Sequence, residues 1–140
     1  NALTKPGTLR LHGLPVDLSK IKCASYIVAG TSDHITPWKA CYQSTQLFGG
    51  ESTFVLSNSG HIQSILNPPG NKKASFWSGG TQVSDAEQWL SSAQQQTGSW
   101  WLNWFSWLAV RSGEKCTAPK TLGNELYPVL GDAPGKYVYE

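Results

Sequence analysis

YIVAGTSDHITPWKACYQSTQLFGGESTFVLSNSGH, residues 26–61, holds two short apolar runs with one helical pattern between them. Tyr26-Ile27-Val28-Ala29 is continuously apolar, rich in β-branched and aromatic side chains, and closed by Gly30, as expected of a strand buried on both faces. Thr31 to Ile35 reads as a loop. Thr36-Pro37 reads as a helix start, with Thr36 as N-cap and Pro37 in the first helical position. Trp38, Cys41, Tyr42 and Thr45 then recur at helical spacing, and Gly49-Gly50 ends the helix. Thr53-Phe54-Val55-Leu56 is a second buried strand, followed by the loop Ser57 to His61. Strand, helix, strand makes one parallel β-α-β unit with a right-handed crossover. Ligands of open parallel sheets sit outside the carboxyl ends of the strands. Asp33 and His61 both follow such ends. They are 28 residues apart, as are Tyr26 and Phe54 in the two strands, so the two side chains are expected on one edge of the sheet.

Outward from this unit the pattern is looser. Residues 1–24 form a lead-in loop punctuated by Pro6-Gly7 and Gly13-Leu14-Pro15. After Asn67-Pro68-Pro69-Gly70, residues 70–83 read as a polar connector. Ser84-x-x-Glu87 resembles a capping box ahead of a helix carrying Trp89, Leu90 and Ala93. A further helix is expected from Ser99 to about Arg111, ended by Gly113. Residues 114–140, with three prolines and three glycines, should run over the surface. The reading is an α/β chain of one domain, in three parts: 1–24, the strand–helix–strand part 25–69, and a helical and irregular region 70–140.

Composition narrows the function. With 140 residues the chain is one domain's worth at most, large enough for a real core. Eleven basic against nine acidic residues give a net charge of +2, which lacks the basic concentration that nucleic-acid binding needs. Cys23, Cys41 and Cys116 are odd in number and have no C-x-x-C spacing, which fits a reducing compartment better than a disulfide framework or zinc site. The most apolar stretch, Trp100 to Val110, is 11 residues long, short of the roughly 20 that a membrane span needs. No signal peptide opens the chain, and the sequence has no Met, as expected of a processed product or a fragment.

An acid and a histidine on adjacent loops are two members of a catalytic triad. The carboxylate fixes the imidazole tautomer, and the imidazole takes the proton of a nucleophile. Asp33 before His61 follows the acid-then-histidine order of α/β-hydrolases. On pattern alone, a loop Asp is equally a turn-former or helix-capper, and a His after Gly is equally a surface residue. No G-x-[SC]-x-G nucleophile elbow occurs, and the three cysteines read as packing or incidental residues. Trp100, Trp104 and Trp107 share one broad helical face. That face is expected to be buried against the fold, the alternatives being docking on an apolar surface or sugar stacking.

Two longer strings are more specific. Gly30-Thr31-Ser32-Asp33-His34-Ile35-Thr36-Pro37-Trp38 resembles the acid loop of polyhydroxyalkanoate synthases, and Ser59 to Gly70, SGHIQSILNPPG, resembles their histidine loop. Pro6-Gly7-Thr8-Leu9, Pro15-Val16-Asp17-Leu18, Gly98-Ser99-Trp100-Trp101, Arg111-Ser112-Gly113 and Ala133 to Val138 extend the likeness over nearly the whole chain. The resemblance implies the C-terminal part of an α/β-hydrolase-type catalytic domain, without the half that bears the nucleophile elbow. It implies polymerisation of (R)-3-hydroxyacyl-CoA into polyester with release of CoA, the thioester being substrate and no cofactor being required. Asp33 and His61 carry over as catalytic acid and base, with His34, Ile35 and Ile62 beside them as expected substrate contacts. The family's nucleophile, a cysteine in a G-x-C-x-G box, must come from an upstream remainder, so this chain alone should be inactive. Partners implied are that remainder, the polyester granule in the cytoplasm and a second copy in a homodimer. The alternatives are an esterase or depolymerase fragment of the same fold, which would need a serine box, and a non-catalytic module that binds granules through the Trp-rich helix.

Overall fold

The computed structural model describes residues 1–140 and is an α/β structure. β1 (Arg10–Leu11) and β2 (Leu14–Pro15) form a two-stranded antiparallel ribbon in the lead-in segment. β3 (Ser25–Gly30), β4 (Ser52–Ser57), β5 (Ser75–Gly79) and β6 (Gln94–Thr97) form one sheet in that order. Helix α1 (Trp38–Leu47) connects β3 to β4, α2 (Ala86–Ser92) connects β5 to β6, and α3 (Trp101–Ala109) follows β6. β3 and β4 run parallel, as their crossover helix requires, whereas β4–β5 and β5–β6 are antiparallel.

Side chains alternate across a strand with period two, and here both faces are covered. Ile27 and Ala29 of β3, Phe54 and Leu56 of β4 and Trp77 of β5 pack on α1 and α2 through Tyr42 and Trp89. Tyr26, Val28, Val55 and Phe76 point the other way and pack on Trp100, Trp101 and Trp104 at α3. The sheet thus lies between two helices and one, and that double coverage explains the unbroken apolar runs in β3 and β4. Trp89 is the largest fully buried side chain, with the rings of Tyr42 and Phe54 centred 5.4 and 4.9 Å away.

Four expectations need correction. The polar connector 70–83 contains β5, and β6 was not foreseen at all. Tyr26 does not match Phe54: the register pairs Tyr26 with Thr53 and Ile27 with Phe54, so Tyr26 and Phe54 serve opposite faces. The cap of α2 is Asp85, whose Oδ1 accepts the Gln88 N–H at 2.9 Å, and not Ser84. A carboxylate one residue further on supplies the stronger cap, and Glu87 turns instead to an ion pair with Lys39 of α1. Finally, α1 starts one residue late, at Trp38, because the Thr36 hydroxyl is engaged by Asp33.

The helix at 101–109 is only half buried. Trp100 is enclosed and Trp104 and Trp107 are half-buried, while Leu102 and Phe105 face outward, each 61% exposed. Residues 111–140 are exposed throughout, as expected of the tail. No helix is long and apolar enough to cross a membrane.

Candidate active site

Gly30 and Ser57 are register partners at the ends of β3 and β4. Asp33 follows the first by three residues and His61 follows the second by four, so both loops rise from one edge. They are stitched together before either side chain makes contact. Thr31 N–H donates to Ser57 O at 2.9 Å, Ser32 N–H to Ser59 O at 3.1 Å, and Ser59 N–H to Thr31 Oγ1 at 3.2 Å. A Cβ at Gly30 would lie 2.7 Å from Ser59 O and 2.8 Å from Ser64 Cβ, so only glycine permits this approach. Ser59 itself has φ +114°, a strained value for a residue with a Cβ, held in place by these two bonds.

Across this seam His61 Nδ1 meets Asp33 Oδ2 at 2.8 Å. The Asp33 side chain is 5% exposed and that of His61 45% exposed. Asp33 is fully subscribed: Oδ1 accepts the N–H groups of Ile35 and Thr36, both at 2.9 Å, and Oδ2 also accepts the Thr36 hydroxyl at 2.7 Å. Asp33 thus closes the turn through both oxygens and meets the histidine through Oδ2. The Thr36 N–H, its hydroxyl, His61 and the Ile35 N–H hold the carboxyl well below the usual carboxylate range, outweighing desolvation, which acts the other way. An ionised carboxylate accepts only, so His61 Nδ1 carries the proton, and Nε2 of the neutral ring presents its lone pair. Nε2 has no hydrogen-bond partner within the chain.

This makes a pH prediction. Asp33 has a folded pKa below that of an unfolded Asp, about 3.9. Its contribution to stability is then complete above that value and is lost progressively as pH falls from there through the folded pKa. A pH titration of the Asp33 carboxyl carbon by NMR should place its midpoint clearly below that of an unfolded Asp. A midpoint near or above the unfolded value would contradict the four-donor arrangement.

The expected substrate contacts flank the pair. His34, Ile35 and Ile62 are all exposed, with Ile35 61% and Ile62 66% accessible. A polar hollow on the flank of the histidine turn is lined by Asn58, Ser59, Gln63, Leu66, Asn71 and Lys73. No thiol completes the pair. Cys23 and Cys116 are exposed free cysteines that make no contact with it. Cys41 turns its Sγ to Thr36 O at 3.8 Å, and burial followed by the Asp33 charge pushes its thiol pKa up, the wrong direction for a nucleophile. Sequence reasoning missed Thr36, Gly30 and Ser59 as parts of the site. The only available signal was their presence inside the two loop strings.

No protein-family model matches the chain. Among curated proteins, poly(3-hydroxyalkanoate) polymerase 1 of Ectopseudomonas oleovorans is 54% identical over 140 residues, covering 100% of this chain and 25% of that protein. Poly(3-hydroxyalkanoate) polymerase 2 of the same organism is 51% identical over 138 residues, 99% of this chain and 25% of the relative. Over its whole length the chain is similar to a part of these poly(3-hydroxyalkanoate) polymerases. A polymerase subunit of Cupriavidus necator, PhaC, is 44% identical over 138 residues, 99% of this chain and 23% of the relative. The chain thus spans about a quarter of the length of these polymerases.

Proposed function

We propose that the chain is the C-terminal part of an α/β-hydrolase-type polyester synthase, contributing the acid and the base of a Cys-His-Asp site whose cysteine lies on an upstream segment. The observation that carries this reading is the His61 Nδ1 to Asp33 Oδ2 hydrogen bond of 2.8 Å, formed at the carboxyl edge of two parallel strands. It leaves Nε2 available as a base. In the proposed reaction the thiol proton passes to His61 Nε2 while the thiolate attacks the thioester carbonyl of (R)-3-hydroxyacyl-CoA. The carbon–sulfur bond to CoA breaks, and the proton on His61 is delivered to the departing thiolate. In the next step a 3-hydroxyl gives its proton to His61, with Asp33 stabilising the imidazolium, its oxygen bonds the acyl carbon as the carbon–sulfur bond to the cysteine breaks, and His61 returns the proton to the cysteine sulfur. Ile35, Ile62 and His34 border the approach to the pair and are the proposed contacts for the acyl chain. The polyester granule in the cytoplasm is the proposed location of the assembled enzyme.

The test is product analysis with the parent polypeptide and with the 140-residue chain separately, each incubated with (R)-3-hydroxyacyl-CoA. Polyester with matching CoA release is expected from the parent and neither from the chain. Polymer from the chain alone would overturn the divided site. Free 3-hydroxy acid as the parent's product would favour the esterase reading.

A further inference from the structure

The imidazole rides on a single helical turn, and the far end of that turn is capped from elsewhere in the chain. Ser64 N–H bonds Gly60 O at 3.0 Å and Leu66 N–H bonds Ile62 O at 2.9 Å, so residues 60–66 close one turn. At its far end Ser64 O and Asn67 O have no backbone donor, whereas Ile65 O accepts the Asn67 N–H at 3.0 Å, and three consecutive residues at the start of α3 donate to all three carbonyls. Trp100 Nε1 donates to Ser64 O at 2.7 Å, Trp101 Nε1 donates to Ile65 O at 3.0 Å, and the Ser99 hydroxyl donates to Asn67 O. That hydroxyl also accepts the Trp101 N–H at 3.0 Å, so one atom joins the histidine turn to the first turn of α3.

The donors are themselves held. Trp100 is 8% exposed and packs with Val55 and Phe76 on the sheet, with the Tyr26 ring 6.1 Å away. Tyr26 in turn donates its hydroxyl to Asn103 Oδ1 of α3 at 2.7 Å. The near end of the histidine turn is fixed by the seam at Ser59 and the far end by these indoles. Between the two, His61 has little freedom to leave Asp33.

We propose that Ser99, Trp100 and Trp101 are positioning residues for His61, acting through the carbonyls of its turn. The inference rests on the reading of His61 as the general base. Small displacements of a base are costly: about 1 Å can lower turnover 100-fold.

The test uses Trp100→Phe in the parent polypeptide, which keeps an aromatic ring and removes the N–H. Turnover of (R)-3-hydroxyacyl-CoA should fall about 10- to 100-fold in kcat with KM unchanged. In spectra of the protein labelled with ¹⁵N-histidine, assigned against His61→Gln, the His61 ring should change from one Nδ1–H tautomer to an exchanging mixture. In an Asp33→Ala background the same substitution should have little further effect, because the geometry it protects is already lost. Ring signals unchanged while the melting temperature drops would reduce the indole to a packing role and overturn the proposal. If the wild-type parent turns over no thioester but the tautomer still shifts, positioning stands and the functional reading fails. If Trp100→Phe does not fold, Trp101→Phe at its half-exposed site decides by the same spectra, and an unchanged His61 ring there overturns the proposal.

Discussion

His61→Ala in the parent polypeptide is expected to abolish the rapid release of CoA, lowering the acylation rate by about 10⁴-fold or more, the scale at which triad members matter. The expectation follows from the pair's geometry. Asp33 is saturated with donors and holds Nδ1, leaving Nε2 as the ring atom free to take a proton. Asp33→Ala should act differently on the two half-reactions. A cysteine thiol is acidic enough to exist partly as thiolate near neutral pH, so an unsupported imidazole can still assist acylation. A 3-hydroxyl is much less acidic, and its deprotonation depends on a carboxylate that stabilises the imidazolium as it forms. Chain elongation should therefore stall more than acylation. Rapid-quench measurement of CoA release separates the steps: a retained first-turnover burst followed by slow steady release is the expected pattern for Asp33→Ala. Equal loss of both phases would remove the divided roles, and a full burst in His61→Ala would remove His61 as the base.

Where the amino acids carried a strong local signal, the fold was legible. β3 and β4 are apolar on both faces because helices cover both, and α1 has a regular period and a Gly-Gly stop, so the β-α-β unit and the shared edge of Asp33 and His61 could be read directly. β5 has only Phe76-Trp77 among serines and glycine, which looks like neither alternation nor a run, although the two rings serve opposite faces. β6 is Gln94-Gln95-Gln96-Thr97, an exposed edge strand whose existence comes from pairing with β5 and not from propensity. Register has no local signature for a related reason. The matching of Tyr26 to Phe54 assumed loops of equal length, whereas Asp33 lies three residues beyond its strand and His61 four, and that extra residue compensates for the one-residue shift. The four donors on Asp33 were partly foreshadowed by its place in a turn. The indoles that cap the histidine turn come from 36 residues further along and had no local signature.

Trp89→Ala should be the most damaging packing change, costing about 3–5 kcal/mol, a large part of the roughly 5–15 kcal/mol by which a domain is stable. The residue is fully buried and joins three aromatic neighbours: Tyr42 and Phe54 within 5.4 Å and Trp38 at 6.4 Å, centre to centre. Tyr42 and Trp38 belong to α1, which begins directly after the acid loop, so Trp89 holds the helix that follows Asp33 against the sheet. Loss of its ring leaves a cavity between α1, α2 and β4, which the surrounding structure closes only in part. Trp89→Phe provides the contrast. Nε1 of Trp89 is buried without a hydrogen-bond partner, and an unsatisfied buried donor carries a penalty of about 1–3 kcal/mol. Phenylalanine gives up part of the ring contacts and also this penalty, so its net cost should stay below about 2 kcal/mol. Denaturant melts of both variants in the parent polypeptide measure the difference. Equal destabilisation would mean that the indole N–H is satisfied in solution and that Trp89 acts through a bond as well as through its rings.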